Sequence, residues 1–405
     1  MKLSDNLVNR LRYIDQIKPF MWNGNVKVIT GIRRCGKSSV MRMFADTVDD
    51  GCNLIYINME YSEHHDLREW KELLGHVNKK IVSEKKNLLF IDEVQDIPQW
   101  ELAIRDFVAK GTCDVYLTGS NSNLLSSEYS TYLGGRFNRI HMFPLSYSEC
   151  KVFHEKYDGK NLDKVFERFI RVGGFPILWR NNIDVTSSMQ TIRDIVDVSI
   201  SNDILNRFKI KNIQLLKDLL KCVVSFIGSY VSANNLFKEL KMNGTEVSKD
   251  AVYEYLNHLE AANILIRANV FDIRGKKVLT SKYKYYVTDL GIKHMMLGYR
   301  PEDTPGHMEN IIVTELLGRG YDVYVGDSDG KEIDIVAEMN GKRLYVQACM
   351  RFDNEKTMRR EFGNLESIED SFPKYVVTMD SGIYNGISEK GIVCCGLKEF
   401  LEKIF

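Results

Sequence analysis

No charge of one sign dominates these 405 residues: Lys and Arg total 55, and so do Asp and Glu. Without a net field, nothing pulls the whole chain onto nucleic acid or a membrane surface. Long apolar runs are missing as well. None approaches the roughly 18 residues of a membrane-spanning helix, and the start shows no signal-peptide pattern. The eight cysteines never fall in a C-x-x-C spacing, and the neighbours Cys394 and Cys395 cannot make a zinc knuckle alone. Internal repeats and low-complexity tracts are also lacking. The expected setting is cytoplasmic, with reduced thiols and no membrane partner. At 44% hydrophobic and 27% charged, the composition is that of an ordinary globular protein. The length suffices for two or three domains with cores of their own.

What is present begins at residues 28–40, VITGIRRCGKSSV. Gly31, four intervening residues, Gly36, Lys37 and Ser38 satisfy the phosphate-loop spacing G-x-x-x-x-G-K-[ST]. Glycines admit positive φ, so successive backbone N–H groups can turn inward around an anion. Lys37 then reaches the β- and γ-phosphates, the Ser38 hydroxyl holds Mg²⁺, and a helix beginning near Lys37 adds its positive end. Arg33, Arg34, Cys35 and Ser39 complete the expected nucleotide-binding stretch. Val26, Val28 and Ile29 read as a buried strand before the loop. Val40, Met41 and Phe44 read as one apolar face of the helix behind it.

The next parts follow in order. LLFIDEVQ, residues 88–95, is an apolar run ending in Asp92 and Glu93. Two carboxylates closing a buried strand pack poorly unless a cation sits there. Asp92 is the expected Mg²⁺ partner beside Ser38, and Glu93 the general base that polarises the attacking water. No N-K-x-D or T-K-x-D segment is found, so ATP rather than a guanine nucleotide is expected. DVYLTGSNS, residues 114–122, ends in Thr118, Ser120 and Asn121. Ser120 and Asn121 suit a sensor of water or γ-phosphate at a strand's carboxyl end, or equally a helix cap. Arg136 precedes a further strand with Ile140 and Met142, where it serves as an arginine finger or as a plain surface residue.

TGIRRCGKSS, LLFIDEVQDIPQWE, YLTGSNS, GGRFNRIHMFPLSYSE and VGGFP together resemble the bacterial and archaeal AAA-type ATPases related to the archaeal STAND-like clade. The similarity runs the full chain, including a C-terminal domain of unknown function found behind such ATPases. The resemblance implies the roles given above for Lys37, Ser38, Asp92 and Glu93. It implies little about biology.

The expected fold class is α/β: a P-loop parallel sheet over 1–150, a helical lid over 151–210, a winged helix-turn-helix over 211–300, and a restriction-endonuclease-like α/β domain over 301–405. GGFP (173–176) reads as a helix stop and turn, or as a segment near the nucleotide. Within 213–298, Ser232 and Ser248 cap two of three helices, and a hairpin with a tight RGKK turn forms the wing. Its cations Arg274, Lys276, Lys277, Lys282 and Lys284 make a phosphate-contact set for DNA, against the alternative of a structural or protein-binding module.

In the last hundred residues, a helix bears Glu309, and two strands joined by Asn340-Gly341 bear Asp334 and the run Gln347-Ala348-Cys349. The layout resembles the restriction-endonuclease-like fold, whose nucleases carry an acid, an Asp and E-x-K at these places. Gln347 replaces the carboxylate and Cys349 the lysine, so the site is expected to be degenerate and inactive. Lys331 and Lys342 are the nearby lysines that could substitute. A nucleotide-driven switch or remodelling ATPase is the favoured function, acting as a homo-oligomer or on a protein partner through the C-terminal domain. An ATP-regulated nuclease and an ATP-sensing DNA-binding regulator are the alternatives.

Overall fold

The computed structural model describes residues 7–49, 51–121, 134–159, 161–208, 210, 212–351, 355–379 and 386–403. The last residue of the sensor stretch, Ser122, lies outside them. The chain divides into two compact units: Met1–Met142 with Ala261–Asn263, and Phe143–Glu260 with Ile264–Phe405.

The first unit is built on a parallel sheet. Its strands are β1 (Val26–Thr30), β2 (Asn53–Asn58), β3 (Asn87–Asp92), β4 (Asp114–Gly119) and β5 (Phe137–His141), in the order β2-β3-β4-β1-β5. β1, β3 and β4 are buried along their whole length, because helices cover both faces of a parallel sheet. This is why NLLFID and DVYL read as unbroken apolar runs. Helix Lys37–Ala45 turns Val40, Met41 and Phe44 inward, and Phe44 lies 5.2 Å from the Tyr116 ring, itself stacked on Phe90 at 4.7 Å. Helices Trp70–Lys80 and Trp100–Lys110 close the opposite face with Leu73, Val77, Ala103, Ile104 and Phe107. Lys27 breaks the apolar pattern of β1. It is fully buried in an ion pair with Asp114, which also accepts from the Tyr116 hydroxyl at 2.7 Å and the Trp22 amide at 3.0 Å. With both oxygens satisfied, the buried pair is tolerated.

In the second unit, helix Tyr147–Tyr157 opens on a capping box between Ser146 and Glu149. Gly173, at φ 74°, ends helix Val165–Val172, and Pro176 starts helix Pro176–Arg180. A Cβ on Gly173 would stand 1.8 Å from Asp289 Oδ1, and the Gly174 amide donates to Asp289 Oδ2 at 2.6 Å. GGFP is therefore a helix break closed on a buried aspartate, whose carboxyl burial pushes up to about 6. Helices Ile213–Ser225, Ala233–Met242 and Lys249–Ala261 follow, with Ser232 and Ser248 accepting from the amides of Asn235 and Ala251.

The remaining strands are β6 (Tyr230–Val231), β7 (Leu265–Asp272), β8 (Lys277–Val287), β9 (Asp322–Ser328), β10 (Lys331–Met339), β11 (Lys342–Cys349), β12 (Lys374–Thr378), β13 (Gly386–Ile387) and β14 (Val393–Gly396). They form one nine-stranded sheet in the order β13-β14-β12-β11-β10-β9-β7-β8-β6. The hairpin β7–β8 does not stand alone: β7 runs parallel to β9 through Val270↔Val325, Phe271↔Gly326 and Asp272↔Asp327. Phe271 also shares a core with Ile333, Tyr345, Leu365 and Val376. Asn340 and Gly341, at φ 52° and 78°, turn β10 into β11 as a hairpin.

Candidate functional site

The carboxyl edge of the five-stranded sheet gathers the polar residues. Parallel strands all point their last residues to one edge, so the loop after β1, the carboxylates after β3 and the polar end of β4 meet there. Gly31 (φ 149°) and Gly36 (φ 104°) bracket the loop 31–38. A Cβ on Gly31 would come within 2.2 Å of the Met142 carbonyl oxygen, so only glycine fits. Arg34 sits exposed at φ 65°, Arg33 and Ser39 are partly exposed, and Cys35 is buried with its thiol pushed up by burial. The Lys37 ammonium folds inward onto the carbonyls of Gly31 (3.1 Å) and Ile32 (3.3 Å), 4.0 Å from Glu93 Oε1.

Asp92 is held by four side chains, the Tyr56 hydroxyl among them at 3.5 Å from Oδ2. Its Oδ1 accepts from the Ser38 hydroxyl at 3.0 Å and from the Thr118 hydroxyl, and its Oδ2 accepts from the Asn58 amide at 3.1 Å. Burial, despite the Thr118 bond, raises its carboxyl above the ordinary range, with the Glu93 charge adding to the rise. Glu93 is buried in the left-handed region at φ 58°. Its amide donates to Thr118 Oγ1 at 3.0 Å, and its carboxylate accepts from the Gln95 amide. A non-glycine residue fixed at positive φ costs of order 1–3 kcal/mol and marks functional sites.

A raised Asp92 carries a testable consequence. The folded state prefers the protonated form, so the stability it contributes is present at low pH and is lost as pH rises through the raised value. Asp92→Asn should therefore melt no lower than the unmodified protein without nucleotide. Its margin should widen in thermal melts as pH rises above the ordinary carboxylate range. A constant margin would remove burial of this charge as its cause.

Ser120 and Asn121 are both fully buried just beyond β4, and the Ser120 carbonyl accepts from the Asn263 side chain at 2.7 Å. Their place just beyond β4, the neighbour of β3, sets them near the carboxylates by chain position, and the Ser120 carbonyl bonds the distant Asn263. Arg136 does not join this group. Its carbonyl accepts from the Val26 amide at the amino edge of the sheet, at the opposite end of β5 from His141. Five residues of strand, about 16 Å, separate those ends. Its side chain is exposed and cannot reach the loop of its own chain.

Three residues of this site escape the motif reading. Asn58, the last residue of β2, completes the bonds on Asp92. His141, the last residue of β5, brings Nδ1 within 3.1 Å of Thr30 Oγ1, and burial with the Arg139 and Lys37 charges pushes its imidazole down to about 3. Arg10, 2% exposed, donates to the Cys35 carbonyl at 2.6 Å and lies over the Tyr13 ring. The hydroxyl and amide ends of Thr30 and Asn58 are visible as polar strand termini; nothing in the sequence marks Arg10.

In the second unit, Asp334 and Gln347 are joined by a hydrogen bond, and Glu309 lies close enough for its charge to act on Asp334. Asp334 Oδ2 accepts from the Ala348 amide at 2.8 Å, and Gln347 Oε1 from the Asp334 amide at 3.3 Å. Cys349 turns its thiol to the Arg351 carbonyl at 3.3 Å, and burial pushes it up to about 11, so it brings no charge. Lys331 and Lys342 are exposed at the strand ends. The ammonium comes instead from Lys284 of β8, which is 1% exposed and bonds Glu309 Oε2 at 3.0 Å and Glu332 Oε1 at 2.7 Å. Burial pulls Lys284 down, yet Glu309, Asp334 and Glu332 outweigh it and hold the ammonium above its ordinary value. The expectation that Lys284 is a surface phosphate contact is therefore corrected: β8 points it into the sheet's interior. Arg274 of the same hairpin pairs with Asp329 at 2.7 Å yet stays exposed, as do Lys276, Lys277 and Lys282.

Residues 23–151 match the family model described as AAA domain, and residues 163–303 match a domain of unknown function (DUF8612). An uncharacterized protein of Haemophilus influenzae is 30% identical over 384 residues, 93% of this chain and 94% of that one. An uncharacterized protein of Methanocaldococcus jannaschii is 28% identical over 354 residues, covering 83% and 77%. Among solved structures, the Walker-type ATPase PABY2304 of Pyrococcus abyssi aligns with a TM-score of 0.54 at 14% identity, over 72% of this chain and 96% of that one. That likeness is one of fold. No described helix is long and apolar enough to cross a membrane.

Proposed function

Since the chain belongs to the family of its Haemophilus influenzae relative and carries an AAA-type P-loop ATPase domain, we propose that it binds ATP with Mg²⁺, hydrolyses it, and uses the change of nucleotide state as a switch. The observation that carries this reading is the meeting of Lys37, Ser38, Asp92 and Glu93 at one sheet edge, the last three through hydrogen bonds shared with Thr118 and Lys37 through a 4.0 Å ion pair with Glu93.

The residues fit such a ligand. The loop is narrow at Gly31, where a side chain would strike Met142, and its amides start a helix at Lys37. Ser38 and Asp92 supply hard oxygen donors already in mutual contact, and bound Mg²⁺ would neutralise charge on the β- and γ-phosphate oxygens. Lys37, now on two loop carbonyls, is positioned to exchange them for phosphate oxygens. Glu93 accepts the proton of the attacking water, and release from Gln95 frees the carboxylate to do so. Thr118 ties the two carboxylates into one frame by bonding Asp92 and the Glu93 amide. Ser120 and Asn121 complete the polar end of β4 as the sensing positions.

Phosphate release from ATP should require Mg²⁺ and stop on chelation; release that continues at the same rate in excess chelator would end this reading. Running the assay with and without duplex DNA separates the switch from a DNA-dependent regulator. The burial of Lys284 takes one of the five hairpin cations out of a DNA contact, which favours the former.

A further inference from the structure

We infer that the amino edge of the five-stranded sheet carries a second ligand site, for a small organic anion with a flat apolar ring. That edge holds a cavity of about 490 Å³, formed where the chain enters β1, β3 and β4. Its walls join Trp22 before β1, Ile81, Lys85 and Lys86 before β3, and Val108 near the end of helix Trp100–Lys110. The size is that of small-molecule pockets, which are mostly apolar with a few placed polar groups. The phosphate loop lies at the carboxyl edge, so the length of the strands separates the two sites.

Trp22 stands in the left-handed region at φ 62°, where a bulky side chain is rare and glycine is at ease. Its amide donates to Asp114 Oδ2 at 3.0 Å, a bond that any residue but proline would make. The turn therefore needs no indole. What the indole adds is a ring, 38% exposed, on the cavity wall. Strain of this kind persists where the side chain has a task.

The charge of the cavity follows from its one carboxylate being spent. Asp114 is ion-paired with Lys27 and accepts from the Tyr116 hydroxyl and the Trp22 amide. Glu84, next to Lys85 in the chain, does not line the cavity. Lys85 and Lys86, both exposed, are the charges that face it. Lys86 Nζ lies 5.1 Å from the centre of the Trp22 ring, an attraction that places the ammonium without cancelling its charge. Ile81 and Val108 pack against the core of the sheet, so the apolar wall is fixed. A ring laid on that wall beside Trp22, with its acid group on the two lysines, uses both features. A cationic ligand would meet like charge.

The probe is anilinonaphthalene sulfonate, a ring system with one negative charge that fluoresces when shielded from water. The full-length protein should bind it with Kd on the order of 10–100 µM. Trp22→Gly suits the positive φ and keeps the amide bond to Asp114, and it should weaken binding about tenfold or more. The surface double variant Lys85→Ser/Lys86→Ser should do the same through loss of charge-assisted contacts. Neutral phenylnaphthylamine should bind at least about tenfold more weakly than the sulfonate and ignore the lysine change. Lys37→Ala should bind the sulfonate as the unmodified protein does. Unchanged binding in either cavity variant, with folding checked by a cooperative thermal melt, overturns the proposal. So does an unmodified protein that binds no sulfonate, or one that binds the neutral probe as tightly. Binding lost in Lys37→Ala would put the probe on the phosphate loop and overturn it as well.

Discussion

Glu93→Gln should bind ATP as the unmodified protein does and turn it over about 10²–10⁴-fold more slowly, the range a general base contributes. The substitution keeps the size of the side chain and an oxygen that can accept from Gln95. The amide of residue 93 still donates to Thr118, so the frame around Asp92 survives. Only the capacity to take a proton is lost. Lys37→Ala should behave in the opposite sense. It removes an ammonium that is 4% exposed and aimed into the loop, and it should weaken ATP binding by roughly 10–100-fold or more, as loss of charge-assisted bonds does. Equilibrium titration with a fluorescent nucleotide, beside single-turnover hydrolysis, distinguishes the two. Equal turnover by Glu93→Gln and the unmodified protein would take Glu93 out of the mechanism.

Activity restored by mixing two inactive proteins is the second expected result. Arg136 sits at the amino edge of β5, about 16 Å of strand from its own loop. If it acts on γ-phosphate charge, it does so in a neighbouring copy. An arginine supplied in trans is worth roughly 10³ or more in rate, so Arg136→Ala should fall by about that factor. Combining Arg136→Ala chains with Lys37→Ala chains should return part of the turnover, since each keeps what the other lacks. Turnover per chain should also climb with concentration. No rescue, together with a monomeric mass at every concentration with ATP, would sink the idea.

How much of this could be seen in the sequence depends on how local each signal is. The phosphate loop is contiguous, and its glycines, lysine and serine are demanded by backbone and charge within eight residues. Asp92 and Glu93 stand out because a fully buried strand ends in them. The five parallel strands are equally readable, since burial on both faces produces unbroken apolar runs. Asn58 and His141 act through register with β3 and β1, which a single strand's residues do not carry. Arg10 is bound to the loop from a helix start with no motif at all. Lys284 was the most misleading. A lysine in a basic hairpin reads as a surface contact, and only its bonds to Glu309 and Glu332, on elements beyond residue 300, account for its burial.

The continuity of the nine-stranded sheet also governs where this protein can be cut. Severing the chain near residue 300 would separate β7 from β9 and expose an unpaired main-chain rim on each fragment. It would also divide the core that Phe271 shares with Ile333 and Tyr345, and strand Glu309 without Lys284. Bare strand rims with apolar faces seek other strands, so both pieces would be prone to aggregate. Shuffling of this C-terminal half between proteins would have to move the hairpin and the strands behind it together, as one inheritable block.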